Sequence, residues 1–211
     1  MSAMTLESGL AEMGLDLPSE AQAKLLAFAA LLQKWNKVYN LTSIRDAGQI
    51  LTHHLLDSLA VLPYLAGIER LADIGSGGGL PGIPLAIATA GRVPALAIHS
   101  IETVNKKASF QQQAKIELGL ANFTVLNERV ENVRPDLPFD AVISRAFSEL
   151  SDFVGLTAHL LRPGGRLLAM KGVYPRDEIA RLPAAFRVVE ALPLTIPGLG
   201  AERHLIILEL D

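Results

Sequence analysis

Cysteine is absent from the 211 residues. That excludes disulfides, thiolate metal sites and every mechanism with a cysteine nucleophile, including the usual route to pyrimidine C5 methylation. A membrane-length apolar run is missing too, since the longest stretch, residues 59–68, is interrupted by Pro63. The start, Met-Ser-Ala-Met-Thr, lacks the basic-then-apolar layout of a secretory signal. The expected compartment is therefore the cytoplasm, with no membrane partner. Nor does one sign of charge dominate: the net charge is −3, which does not announce a nucleic-acid protein.

What is present is half hydrophobic, the composition of a packed chain long enough for one domain with an appendage. The charge is unevenly placed. Residues 1–20 carry Glu7, Glu12, Asp16 and Glu20 and no base. Lys24, Lys34, Lys37 and Arg45 stand against Asp46 alone in 21–56, with His53 and His54 nearby. Arg166, Lys171, Arg176, Arg181 and Arg187 stand against Asp177 and Glu178 in 164–187. Two basic stretches suit one phosphate-facing surface, although solvated helix faces account for the same counts.

The first third reads as helical. Ser19 with Gln22 is a capping-box pattern, followed by Leu25, Phe28, Leu32, Trp35 and Tyr39 at helical spacing. Asp46 with Gln49 repeats the pattern before a second helix that runs to Pro63. Trp35 and Tyr39 read as core residues on that stripe rather than base-stacking platforms. From residue 70 the texture changes to strands at 70–75, 95–101, 123–127, 141–145, 166–171, 188–194 and 205–210. Helices at 81–90, 105–119, 150–161 and 175–182 lie between most of them. Such alternation predicts a parallel sheet covered on both faces, and the short Pro-Gly-Leu-Gly loop before the last strand predicts an antiparallel hairpin. The expected division is a helical extension, 1–66, and an α/β domain, 67–211.

The segment Asp73-Ile74-Gly75-Ser76-Gly77-Gly78-Gly79-Leu80-Pro81-Gly82 carries the chemistry. A dinucleotide fingerprint needs a third glycine where Leu80 stands. The spacing present is D-x-G-x-G-x-G, with Asp73 at the strand end and Pro81 at the first helical position. A pyrophosphate is poorly served by a neighbouring carboxylate, whereas S-adenosylmethionine carries an ammonium and a sulfonium and no phosphate. The turn from Asp73 through Gly75, Ser76, Gly77, Gly79 and Leu80 therefore reads as the cradle of that cofactor. Glu102, ending the second strand, is placed to take both ribose hydroxyls; an ion pair with Lys106 is the alternative. Backbone groups at Val130 and Glu131 suit the adenine edge, though a solvated charged turn explains them as well. Arg145 ends the fourth strand and is a candidate for the cofactor carboxylate or an RNA phosphate, or simply a strand-end ion pair. The Asn/Asp-Pro-Pro-Tyr phrase of amino-group methyltransferases is missing there. His53, His54 and Asp57 share one helix face, but no further ligand completes a metal site, and none is expected.

Several phrases converge on one family: Lys34-Trp35-Asn36-Lys37-Val38-Tyr39-Asn40-Leu41-Thr42, His54-Leu55-Leu56-Asp57-Ser58, the glycine turn with Ile83-Pro84, and Val142-Ile143-Ser144-Arg145-Ala146. Together they resemble the RsmG family, the bacterial 16S rRNA guanine-N7 methyltransferases once called glucose-inhibited division protein B. The resemblance implies an α/β, Rossmann-like class I methyltransferase fold. Its sheet would be seven-stranded and mostly parallel, with a C-terminal antiparallel hairpin and an N-terminal helical extension. It implies S-adenosylmethionine as donor and a guanine near the decoding region of the small ribosomal subunit as substrate, with no obligate protein partner. It also implies cofactor contacts at Gly75, Leu80, Val130, Glu131 and Arg145. The RNA contacts expected are Lys34, Lys37, Arg45, His54, Arg145 and Lys171. The readings set against it are a nicotinamide oxidoreductase, a methyltransferase for a small molecule or protein, and a non-enzymatic subunit-assembly factor. Guanine N7 holds an in-plane lone pair, so no general base is expected.

Overall fold

The computed structural model describes residues 4–145, 147 and 149–211; Ala146, part of the fourth phrase above, lies outside them, as do Met1, Ser2 and Ala3. A helix, α1 (Leu6–Glu12), precedes the first expected one and went unread. Thr5 caps it, with Ser8 reaching back to the Thr5 N–H at 3.0 Å in the place where Glu or Gln usually marks a capping box. The long helix α2 (Ser19–Tyr39) follows, but its cap is Pro18 and not Ser19. Gln22 closes the turn instead by donating to the Leu17 carbonyl at 2.9 Å. Its buried face comprises Leu25, Phe28, Leu31, Leu32 and Asn36.

Asp46 does cap the next helix, accepting from the Gln49 N–H at 2.9 Å. The single α-helix expected there is broken into α3 (Ala47–Ile50), a π segment (Leu51–Leu56), α4 (Asp57–Leu59) and a 3-10 turn (Leu62–Leu65). Thr52 contributes, its hydroxyl bonding back to the Gly48 carbonyl at 3.2 Å.

The remainder matches the expected alternation. Strands β1 (Arg70–Ile74), β2 (Ala97–Ile101), β3 (Phe123–Leu126), β4 (Phe139–Ser144) and β5 (Leu161–Lys171) are parallel. Strands β6 (Phe186–Pro193) and β7 (His204–Leu210) form the antiparallel hairpin, inserted so that the order is β3-β2-β1-β4-β5-β7-β6. The fifth strand starts earlier than read because Leu161 already pairs with Phe139, and the register then shifts across the Arg-Pro-Gly-Gly segment 162–165. Helices α5 (Gly82–Ala88), α6 (Asn105–Leu118), α7 (Leu150–Thr157) and α8 (Arg176–Ala180) join them. Pro81 is the cap of α5, one place earlier than expected.

One core cluster unites the extension with the sheet: Leu10, Leu25, Phe28 and Leu56 pack with Leu71, Ile98, Ile143, Leu168 and Ile207. A second, around Phe139, Phe153, Leu167 and Leu208, fills the opposite face beneath α7. The extension thus shares with α5 and α6 the cover of one face of the sheet. Among the described residues, no helix is long and apolar enough to cross a membrane.

Candidate active site

The strand order reverses between β1 and β4, where an open α/β sheet presents its ligand crevice. Gly75, Gly77 and Gly79 there have φ of 65°, 57° and 79°, a region that disfavours any side chain. At Gly79 a Cβ would also lie 2.3 Å from Ile83 Cδ1.

Three side chains hold the turn. Glu102, nearly fully buried, accepts from the Gly77 N–H and the Val104 N–H, both at 2.8 Å. It stands beside the turn with each oxygen accepting one backbone N–H, and among the described residues no ion pair joins it to Lys106. Gln111, buried on α6, donates to Ser76 Oγ and the Gly77 carbonyl at 2.8 Å and accepts from Ser100. Ser76 and Ser100 share a 2.5 Å bond, so the three groups form a closed ring in which each is satisfied. Asp73 accepts from the Gly82 N–H at 2.8 Å, fixing the start of α5. Its other oxygen, Oδ1, is buried without a partner among the described residues. Burial, only partly offset by the Gly82 bond, raises its pKa to about 7.

The W-N-K-x-Y-N-L-T segment builds the facing wall. Trp35 packs against Phe110 with ring centres 5.5 Å apart, and Tyr39 lies on Trp35. Buried Asn36 accepts from the Thr42 N–H at 2.9 Å and donates to the Ile44 carbonyl at 3.1 Å, folding residues 41–45 back over the crevice. Asn40 turns the chain there with φ of 49°. Thr42 then meets His54 Nε2 at 2.9 Å, while His54 Nδ1 faces the His53 carbonyl at 3.0 Å. Burial and the nearby Arg145 lower the His54 pKa to about 4, so the ring is neutral and spans two acceptor-donor contacts. His54 is therefore part of the wall and not the exposed phosphate contact suggested for it.

Arg145 lies between the β4 end and the extension. Its Nη1 donates to Asp57 Oδ2 at 2.8 Å and to the His53 carbonyl at 3.0 Å. Arg203, just before β7, donates from Nε to Asp57 Oδ1 at 2.9 Å. The ion pair set against a ligand role for Arg145 thus exists, and Arg145 nevertheless faces open space. A cavity of about 300 Å³ is lined by residues 41–43, His54, the glycine turn, Leu80 and Arg145. A second, of about 320 Å³, is lined by His54 and Arg145 again, with Asp57, Met170, Lys171 and Arg203. Lys171 is largely withdrawn from phosphate contact: its ammonium is held by Glu178 at 2.6 Å and the Phe147 carbonyl at 3.1 Å. Lys34, Lys37 and Arg45 are exposed, and the last two line one recess of about 330 Å³. Val130 and Glu131 open a 3-10 turn after β3, whose first N–H groups lack partners within the turn.

Residues 21–206 match the family model described as rRNA small subunit methyltransferase G. The chain belongs to that family. A ribosomal RNA small subunit methyltransferase G from Aromatoleum aromaticum is 82% identical over 209 residues, covering 99% of each chain. Its counterpart from an Azoarcus species is 64% identical over 203 residues, covering 96% of this chain and 94% of that one. The fold is shared more widely. The O-methyltransferase TomG of Streptomyces achromogenes, solved with SAM, aligns with a TM-score of 0.61 at 17% identity over 97% of this chain and 96% of its own. A Bacillus cereus O-methyltransferase solved with SAH gives 0.60 at 17% identity, over 98% and 100%. Family membership makes the protein an S-adenosylmethionine-dependent rRNA methyltransferase, which sets aside the nicotinamide oxidoreductase. The site residues that sequence reasoning missed include Ser100, Gln111 and Arg203. A polar residue on the buried stripe of α6 was a usable signal for Gln111, whereas nothing local marks Arg203.

Proposed function

We propose that the protein methylates N7 of a guanine in 16S rRNA near the decoding region, acting on the small ribosomal subunit. The observation that carries the reading is the junction of two cavities at Arg145 and His54: one lies against the glycine turn, the other against a pair of arginines. The first fits the donor. It offers a turn with glycine backbone at Gly75, Gly77 and Gly79, Glu102 beside it, and the buried Asp73, one oxygen unpartnered among the described residues, at the strand end before it. Gly75, Ser76, Gly77, Gly79, Leu80, Glu102, Val130 and Glu131 would hold the cofactor, with Asp73 fixing the turn from below; of the two ligands open to Arg145, the RNA is the one assigned to it here. S-adenosylmethionine supplies an electrophilic methyl carbon on a sulfonium.

Because N7 presents its lone pair in the neutral base, no side chain has to remove a proton. The protein's work is alignment, and positioning of this kind contributes ~7–11 kcal/mol towards a barrier. N7 lies on the major-groove edge, which a paired A-form helix closes to side chains, so the guanine is read as unpaired or extruded. Arg145 and Arg203 supply donors beside it, while Lys34, Lys37 and Arg45 offer outlying phosphate contacts.

The test is incubation of unmethylated small subunits with radiolabelled S-adenosylmethionine, followed by borohydride and aniline cleavage. A strand break at one 16S guanine is expected. Label confined to ribosomal protein or to another RNA position would reject the N7 reading, and tight subunit binding without label would favour an assembly factor.

A further inference from the structure

Asp57 is a fully buried carboxylate that holds two cations at once. One oxygen takes Arg145 at 2.8 Å and the other takes Arg203 at 2.9 Å. The two arginine side chains remain 25% and 23% exposed, and both line the second cavity. Among the described residues, Nε and Nη2 of Arg145 and Nη2 of Arg203 have no hydrogen-bond partner. Arg145 therefore keeps its Nε–Nη2 edge open for a paired contact, whereas Arg203, whose Nη1 is also held by the Glu202 carbonyl, offers Nη2 alone. The triad keeps a net positive charge at the mouth of a cavity whose neighbour holds the glycine turn.

The three residues come from three places. Asp57 opens α4 in the extension, Arg145 follows β4, and Arg203 precedes β7. The His53 carbonyl, within the π segment, adds a second acceptor for Arg145. An arginine is a planar fork suited to paired contacts with a phosphate, but only when its plane is fixed.

We propose that Asp57 is a positioning residue that presets Arg145 and Arg203 as a two-armed clamp for a phosphodiester of the unpaired RNA strand. This inference rests on the reading of the site as an RNA methyltransferase centre. It assigns the extension a direct part in substrate binding through one residue.

The test compares Asp57→Asn, Arg203→Gln and the double variant in methyl transfer to unmethylated small subunits, with cofactor affinity measured by calorimetry. Asp57→Asn raises KM for the subunit about 10-fold or more, with kcat and cofactor affinity little changed. The double variant is scarcely worse than the poorer single one, since the groups act as a unit. Asp57→Glu, which retains the charge, restores part of the loss. Losses that multiply in the double variant, or a lowered kcat and cofactor affinity with KM unchanged, would overturn the clamp. If Asp57→Asn does not fold, Arg203→Gln decides alone: an unchanged subunit KM overturns the proposal. Wild-type protein that transfers no methyl group to RNA defeats the parent reading, and the clamp with it. Normal transfer by wild type and variants alike defeats only the clamp.

Discussion

Around the glycine turn, Glu102 reaches the Gly77 N–H across 25 residues and Gln111 reaches Ser76 across 35, whereas Asp57 reaches Arg145 across 88 and Arg203 across 146. The first region is backbone held by side chains from neighbouring strand ends and from helix α6. The second consists of side chains held by one another, drawn from the extension and from the ends of β4 and β7 that meet at one edge of the sheet. A cradle of the first kind leaves a spaced glycine pattern in the chain. A clamp of the second kind leaves only single charged residues, each unremarkable where it stands.

Each region also contains a buried group whose pKa is moved from its ordinary value, and the two respond to pH in opposite senses. Asp73 has a folded pKa of about 7, raised from 3.8, so the native state retains a proton that the unfolded chain releases. Its contribution is fully present below the unfolded value and is lost as pH rises towards 7. His54 has a folded pKa of about 4, lowered from 6.5, so its contribution is present above 6.5 and lost as pH falls towards 4. Relative to wild type, Asp73→Asn should gain stability as pH rises from 4 to 7, by on the order of 4 kcal/mol. His54→Gln should gain as pH falls through the lower window. Urea unfolding at several pH values checks both, and parallel difference curves would dissolve the contrast.

Glycine substitutions test the rigidity of the cradle. Gly79→Ala combines a left-handed backbone with a collision against Ile83 and should cost ~2–4 kcal/mol. Gly77→Ala meets nothing nearer than Lys107 Nζ at 4.0 Å and should cost only the backbone strain, ~1–2 kcal/mol. Thermal unfolding of the pair separates packing from strain, and equal losses would show that the collision is relieved by rotation of Ile83. Next in size, Glu102→Ala should weaken cofactor binding by about 10- to 150-fold through lost charge-assisted bonds of ~1.5–3 kcal/mol. Titration calorimetry giving wild-type affinity would refute a ribose contact. The smallest effects belong to the outlying cations. Lys34→Ala, Lys37→Ala and Arg45→Ala should each flatten the dependence of log affinity for the subunit on log salt by about 0.7. Slopes that do not move would remove these residues from the interface.

Periodicity and turn chemistry were enough to place the seven strands and the hairpin, because each strand is a short apolar run set between turn residues. The asparagine of W-N-K-x-Y-N-L-T became intelligible only in three dimensions, where Asn36 folds the loop at 41–45. The π segment escaped notice because its apolar residues fit an α-helical stripe nearly as well. Helix α1 escaped because Ser8 does the work of the expected Glu or Gln. Lys171 and His54 resembled surface bases by residue type alone; their burial depends on Glu178 and Thr42, neither adjacent in sequence.

Shared hydrophobic packing between the helical extension and the sheet has an evolutionary corollary. Trimming the chain to residues 67–211 would strip Leu25, Phe28 and Leu56 from the cluster they share with the sheet and delete Asp57 in the same stroke. Core packing and substrate grip are therefore inherited together, since the helices that carry Asp57 also bury part of the sheet.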